Sequence, residues 1–138
     1  MIGRGTAAKS RPMATAEGLK IDFVDETHIK TSILESFPYE GPKQNIVYET
    51  EEFSAVCPFS GLPDIAYVRV EYTPAKKIVE LKSLKYYFVS FRNVGIYQEH
   101  ATARIFEDLK KALAPAALSV SMTYNTRGGI DATSTCSL

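Results

Sequence analysis

Residues 65–73, IAYVRVEYT, are the stretch that decides the fold. Apolar and polar side chains alternate along it, which is typical of a strand with one buried face. The residues of the apolar face are Ala66, Val68, Val70 and Tyr72. Arg69 and Glu71 point to the opposite face, and Pro74 ends the strand because proline has no N–H to donate to a sheet. The stretch therefore predicts a sheet that is buried on one side.

The segments on either side predict more strands and two helices. Apolar residues at alternate positions indicate strands, and apolar residues three and four apart indicate helices. The predicted elements are strands 46–53, 65–73, 118–124 and 130–135, a loop at 55–64, and helices 81–91 and 97–114. This order predicts an α+β fold, an antiparallel sheet with two helices on one face. Because the other face and the sheet edges stay uncovered, we expect several copies of the chain to join their sheets.

The composition is that of an ordinary globular chain of one-domain length. Its 138 residues are 45% hydrophobic, and 16 basic residues balance 16 acidic ones, so no net charge attracts nucleic acid or a membrane. Residues 1–18 show no hydrophobic periodicity, and we predict a disordered leader there and a single domain over 19–138. No apolar run reaches the roughly 20 residues that cross a bilayer, and no signal-type segment follows the start, which predicts a cytoplasmic protein.

Few side chains can carry chemistry, because the chain has two histidines and two cysteines. Neither a three-histidine nor a four-cysteine zinc site can form within one chain, so we expect no metal. Cys57 lies in a loop bracketed by Pro58 and Pro63, where its thiolate could act as a nucleophile. Asp64 lies close enough to deliver or accept a proton. Spacing alone also fits a buried structural cysteine beside a turn aspartate.

Three further motifs could bind charged or purine-like ligands. Lys82 and Lys85 share one face of the predicted helix that starts at 81, which suits phosphate groups. Glu99, in QEH (98–100), could accept two hydrogen bonds from the edge of a guanine-type base. Arg127, which two glycines follow, could meet a phosphate. Taken singly, these motifs also fit a solvated helix face, an exposed helix start and a turn.

As a set, the motifs resemble one enzyme family. The matching segments in chain order are LESFP (34–38), CPFSGLPD (57–64), ELKSLKYY (80–87), SFRN (90–93), Glu99 and RGGI (127–130). The set is similar to the NADPH-dependent 7-cyano-7-deazaguanine reductases, the nitrile reductases of tRNA queuosine biosynthesis, in their single-module form. The similarity runs from about residue 34 to 135, which is nearly the whole chain after the predicted leader.

The resemblance implies a fold, a cofactor and a mechanism. The fold is the tunnelling fold, whose protomers join antiparallel sheets into barrels and stack ring on ring, so it implies a homo-oligomer such as a decamer, with no direct nucleic-acid or membrane partner. Cys57 would attack the nitrile to form a covalent thioimide, Asp64 would donate protons, and NADPH would supply two hydrides in a four-electron reduction to 7-aminomethyl-7-deazaguanine. The implied substrate-binding residues are Val79, Glu80, Leu81, Gln98 and Glu99, and the implied cofactor-binding residues are Lys82, Ser83, Lys85 and Arg127.

One position departs from the family pattern. Many members have a histidine directly before the substrate glutamate, whereas this chain has Gln98 there and His100 after Glu99. Neighbouring helix positions point about 100° apart, so His100 does not simply replace that histidine. Gln98 can form hydrogen bonds but cannot carry a proton.

Two other functions remain open from the sequence. One is an amidinotransferase-like tunnelling-fold enzyme of archaeosine synthesis, which would keep Cys57 and Asp64. The other is a ring that binds deazapurines without catalysis. The lysine-rich segment 80–87 favours reduction, because an amidinotransferase does not need NADPH.

Overall fold

The chain is an α+β fold with antiparallel sheets, in a computed structural model that describes residues 15–138. Its strands are β1 (Ser36–Pro38), β2 (Ile46–Val56), β3 (Pro63–Thr73), β4 (Lys77–Val79), β5 (Ala117–Arg127) and β6 (Ile130–Ser137). Its helices are α1 (Leu81–Val89) and α2 (Gln98–Leu113), with short 3-10 helices at Glu26–His28 and Thr31–Ile33. The predicted leader lies outside the described residues except for 15–18, which form a turn.

The main sheet has the strand order β2-β3-β5-β6, and every neighbouring pair is antiparallel. Val70, on β3, pairs with Tyr48 on one side and with Val120 on the other. The alternation of residues 65–73 is confirmed, since the four residues of its apolar face are buried. β1 and β4 form a separate two-stranded ribbon.

The helices α1 and α2 pack on one face of the main sheet, as predicted. The buried cluster that contains the apolar side of β3 also contains residues of both helices and of the turn after α1: Tyr87, Phe91, Ile105 and Leu109. The opposite face is polar, and there the Tyr67 hydroxyl donates to Glu49 on the neighbouring strand. This arrangement leaves β2 and β6 as the two edges of the sheet. No helix of residues 15–138 is long and apolar enough to cross a membrane.

The predicted loop at 55–64 was too long. β2 continues to Val56 and β3 begins at Pro63, and these two residues pair directly. The turn between them closes tightly because Gly61 adopts a positive φ of 73°, a conformation that glycine adopts without steric cost. Asp64 consequently lies on a paired strand and faces the core.

Candidate functional site

The tight loop at 57–62 presents Cys57 at one end of the main sheet. The Cys57 N–H donates to the Leu62 carbonyl, and the Gly61 N–H donates to the Cys57 carbonyl, each at 2.9 Å. A side chain at Gly61 would clash with the backbone carbonyl oxygen of Ile21. The sequence therefore holds the cysteine in one position through backbone bonds and a glycine that cannot be replaced without strain.

The surroundings of Cys57 favour its thiolate. Hydrogen bonding from the backbone N–H groups of Ser60 and Phe59 and from the Ser60 hydroxyl lowers the pKa of the Cys57 thiol below its usual range. Partial burial and the negative charge of Asp64 act in the opposite direction but are weaker. A half-buried thiol with backbone donors has the properties of a reactive cysteine rather than of a buried structural one.

Asp64 lies beside this thiol and forms an ion pair with Arg127. The Arg127 Nη2 atom lies 2.5 Å from Asp64 Oδ1 and donates a hydrogen bond to the Pro63 carbonyl at 2.6 Å. The guanidinium lies against Oδ1, although that oxygen has no well-aligned hydrogen-bond donor among the described residues. Burial raises the pKa of the Asp64 carboxyl, and the guanidinium opposes that rise.

Tyr124 is a polar group of this site that sequence reasoning did not assign. It pairs with Ala66 across the β3–β5 ladder, so its ring lies diagonally opposite Asp64 on the buried face. Among the described residues, the one hydrogen-bond acceptor of its hydroxyl is the Met122 sulfur, at 3.9 Å. Burial raises the pKa of Tyr124 well above its usual value, and the charges of Asp64 and Glu99 add to the rise. The hydroxyl therefore senses the charges of both carboxylates.

The first turn of α2 brings the QEH segment to the same end of the sheet. Gln98 is half-buried, whereas Glu99 and His100 are exposed in the single chain. The turn is held on β6 by a hydrogen bond between the Thr102 and Ser134 hydroxyls, 2.5 Å apart. An aromatic pair borders the site, because the Phe59 and Tyr97 rings meet edge to face at 5.9 Å. The rings are 74% and 46% exposed respectively.

The segment 79–85 lies at the opposite end of the sheet. The Val79 N–H donates to the Tyr72 hydroxyl at 3.1 Å. Tyr72 is eight residues along β3 from Asp64, which corresponds to about 25 Å of strand. One chain therefore does not bring Val79, Glu80 and Leu81 next to Cys57.

Glu80 and Ser83 are engaged at the start of α1. The Glu80 carboxylate accepts hydrogen bonds from the N–H groups of Lys82 and Ser83 at 2.7 and 2.8 Å, and so caps the helix. The Ser83 hydroxyl donates to the Glu80 carbonyl at 2.7 Å and accepts from the Glu35 N–H at 3.0 Å. Leu81 is exposed.

A groove of about 910 Å³ lies between β2 and α1 and includes both predicted lysines. Lys82 and Lys85 are exposed on its wall, and Arg92, which sequence reasoning did not assign to a ligand, adds a third cation. None of the three forms an ion pair with another residue in 15–138. The exposed Tyr86 ring lies in the same groove. These residues fit a dinucleotide, because the cations suit its phosphates and the ring offers a stacking surface.

Comparisons of the sequence with known proteins agree on one family, and the structural comparison agrees on the fold. A family model described as QueF-like protein matches residues 63–138. A protein of Thermotoga petrophila named NADPH-dependent 7-cyano-7-deazaguanine reductase is 59% identical over 122 residues, which are 88% of this chain and 89% of the relative. A protein of Caldicellulosiruptor bescii with the same name is 52% identical over 113 residues, 80% of this chain and 86% of the relative. The crystal structure of an apo archaeosine synthase QueF-Like has a TM-score of 0.62 at 22% identity, and the match covers 71% of this chain and 95% of that one.

Proposed function

The chain belongs to the NADPH-dependent 7-cyano-7-deazaguanine reductase family, and from that premise we propose that Cys57 carries the reduction through a covalent thioimide. The protein is an NADPH-dependent oxidoreductase that reduces the nitrile of 7-cyano-7-deazaguanine. Conversion of a nitrile into an aminomethyl group takes four electrons, that is, two hydrides and two protons. The observation that supports the covalent route is the reactive Cys57 thiol beside the buried Asp64 carboxyl.

In the first step the Cys57 sulfur bonds to the nitrile carbon, and one carbon–nitrogen π bond breaks. The nitrogen needs a proton at that moment, and the thiol proton reaches it through Asp64, so that no proton is gained or lost overall. Bound NADPH supplies the two hydrides. After the first hydride has reached the carbon, Asp64 delivers a second proton to the nitrogen, and the carbon–sulfur bond breaks so that Cys57 leaves as a thiolate and a carbon–nitrogen double bond forms again. The second hydride reduces that double bond, and one more proton from solvent restores the Cys57 thiol, so the cycle consumes two protons in all.

Recognition of the deazapurine falls to the start of α2. The Glu99 carboxylate can accept two hydrogen bonds from the ring N–H and the amino group of the base. Gln98 can hydrogen-bond the substrate but cannot exchange a proton with it, so proton transfer in this chain depends on Asp64. The exposed faces of Phe59 and Tyr97 offer a stacking surface for the ring.

In our proposal the cofactor groove and Cys57 meet across a boundary between two copies of the chain. Val79, which lies just before the lysine-bearing helix α1, is about 25 Å of strand from the Cys57 end of the sheet. We propose that copies pair the free edges of β2 and β6 into a closed ring, so that the groove of one protomer faces Cys57 of its partner. Mixed oligomers of Cys57→Ala with the Lys82→Ala/Lys85→Ala variant should then regain activity that neither has alone. A monomer in analytical ultracentrifugation that still turns over substrate would contradict the shared site.

The thioimide can be tested without the cofactor. Mixing the protein with 7-cyano-7-deazaguanine in the absence of NADPH should trap the adduct, and peptide mapping after mass spectrometry should place it on Cys57. Cys136→Ala is the matched control and should still form the adduct. Cys57→Ala should lose both adduct and turnover yet still bind the substrate. NADPH oxidation by Cys57→Ala would refute the covalent route and leave the reductase assignment standing.

A further inference from the structure

We infer that Arg127 is a positioning residue for Asp64, whose guanidinium keeps the Cys57–Asp64 pair in the state that holds a single proton at neutral pH. The inference rests on the proposed function, because it concerns the proton that thioimide formation needs. It gives Arg127 a role that is independent of cofactor phosphates.

The placement of Arg127 is built into the hairpin between β5 and β6. Arg127 is the last residue of β5 and pairs with Ile130 across the turn. Its side chain is 46% exposed, whereas the Asp64 side chain is 6% exposed. The guanidinium therefore reaches from the surface onto a buried carboxylate, and its bond to the Pro63 carbonyl fixes it there.

The charge of Arg127 has few local competitors in the described part of the chain. Arg127 from β5 forms an ion pair with Asp64, the charge of Asp64 acts on Cys57 from the loop and on Tyr124 from β5, and the charge of Glu99 from α2 also acts on Tyr124. Arg127 is the only cation in this set, since the other members are neutral or negative. A buried carboxylate without it would hold its proton to a higher pH.

Cys57 and Asp64 interact, so their protons are counted for the pair and not for either residue alone. The pair can hold two protons, one or none, and the proposed first step starts from the one-proton state, whichever residue carries the proton. The rate of thioimide formation should then follow a bell in pH, falling where a second proton is gained and where the last is lost. A nearby positive charge favours the states with fewer protons, so removing it moves both limbs to higher pH. With a half-exposed guanidinium we expect a shift of about one pH unit, the low end of the usual range.

The test is thioimide formation without NADPH, followed between about pH 5 and 10 for four proteins. These are the wild type, Arg127→Met, Arg127→Lys and Lys111→Met, the last of which removes an exposed cation from the far end of α2. Arg127→Met should shift both limbs upward by about one unit, Arg127→Lys should retain most of the wild-type profile, and Lys111→Met should match the wild type. Because no cofactor is present, phosphate binding cannot produce this pattern.

A second measurement decides the inference even if no thioimide forms. The rate of Cys57 alkylation by iodoacetamide, mapped separately from Cys136, reports the thiol titration without substrate. An upward shift of its midpoint in Arg127→Met, reversed in Arg127→Lys, supports the inference, and absence of the adduct in the wild type would then refute only the covalent route. If the alkylation profiles of Arg127→Met and the wild type coincide, the inference is overturned. If Arg127→Met also has a raised KM for NADPH, Arg127 acts only as a phosphate ligand. If Arg127→Met does not fold, Arg127→Gln provides the neutral comparison.

Discussion

Asp108→Ala should destabilise the protein by about 3 kcal/mol, mainly because it leaves the Tyr87 hydroxyl buried without a partner. In the native chain one carboxylate oxygen of Asp108 accepts three hydrogen bonds. The donors are the Tyr87 hydroxyl at 2.6 Å, Arg104 Nε at 2.9 Å and the Thr31 hydroxyl at 3.1 Å. The carboxylate thus ties both helices and the preceding 3-10 helix together.

The three donors should not contribute equally. Tyr87 is 0% exposed, so water cannot replace its partner, and the loss should cost about 2 kcal/mol. The Arg104 side chain is 28% exposed, and water takes over much of that interaction. Thr31 keeps its bond from Arg104 Nη2 at 3.0 Å. These two losses together should add about 1 kcal/mol.

Urea unfolding at a fixed protein concentration measures the effect, since association would otherwise change the apparent stability. A double-mutant cycle with Tyr87→Phe provides the control. Removing the stranded hydroxyl should make the double variant more stable than Asp108→Ala alone by about 1–2 kcal/mol. If Tyr87→Phe instead lowers the stability of the Asp108→Ala protein as much as it lowers that of the wild type, the hydroxyl is not the main loss and the reasoning fails.

Two more predictions address the two ends of the site. The Lys82→Ala/Lys85→Ala variant should have a KM for NADPH at least about tenfold higher, which is the usual effect of losing a charge-assisted contact. Thioimide formation without cofactor should be unchanged. An unaltered KM would mean that the two lysines only form a solvated helix face. Gly61→Ala should slow alkylation of Cys57, because the new side chain clashes with the Ile21 carbonyl and disturbs the loop. Gly18→Ala is the matched control, since Gly18 has a similar positive φ with nothing near it, and equal slowing in both variants would contradict the role of the loop.

The sequence predicted the elements whose signal is periodic. Alternation in residues 65–73 located β3, and apolar spacing located α2 to within one residue at each end. The ribbon of β1 and β4 was missed, because three-residue strands are too short to show a period. The loop before Asp64 was overestimated because proline and glycine indicate a turn, whereas its length depends on how far the flanking strands pair.

In the candidate site, too, contacts between residues close in the sequence could be predicted and contacts between distant residues could not. Cys57 and Asp64 are close in the chain, so local spacing was sufficient to associate them. The contact of Arg127 with the Pro63 carbonyl joins residues 64 positions apart, and no local pattern predicts such a contact. Tyr124 falls at an apolar position of the alternating segment 118–124, and that alternation does not reveal that the charges of Asp64 and Glu99 act on its hydroxyl. The cofactor assignment of Arg127 and Ser83 stays a prediction, as does the cytoplasmic location.

Association of two copies of the chain would explain both the exposure of Glu99 and the placement of Lys82 and Lys85 in a groove apart from Cys57. A carboxylate discriminates a base edge by hydrogen bonds most strongly when water is excluded, because unpaired polar groups then carry their full desolvation cost. Glu99 is exposed in the single chain, so a monomer would recognise the base weakly. A second copy that covers Glu99 would exclude water from the base site. If it also brought Lys82 and Lys85 toward Cys57, the same association would provide the cations that bind the cofactor phosphates. Pairing of the open β2 and β6 edges would therefore create the active site as well as protect the sheet.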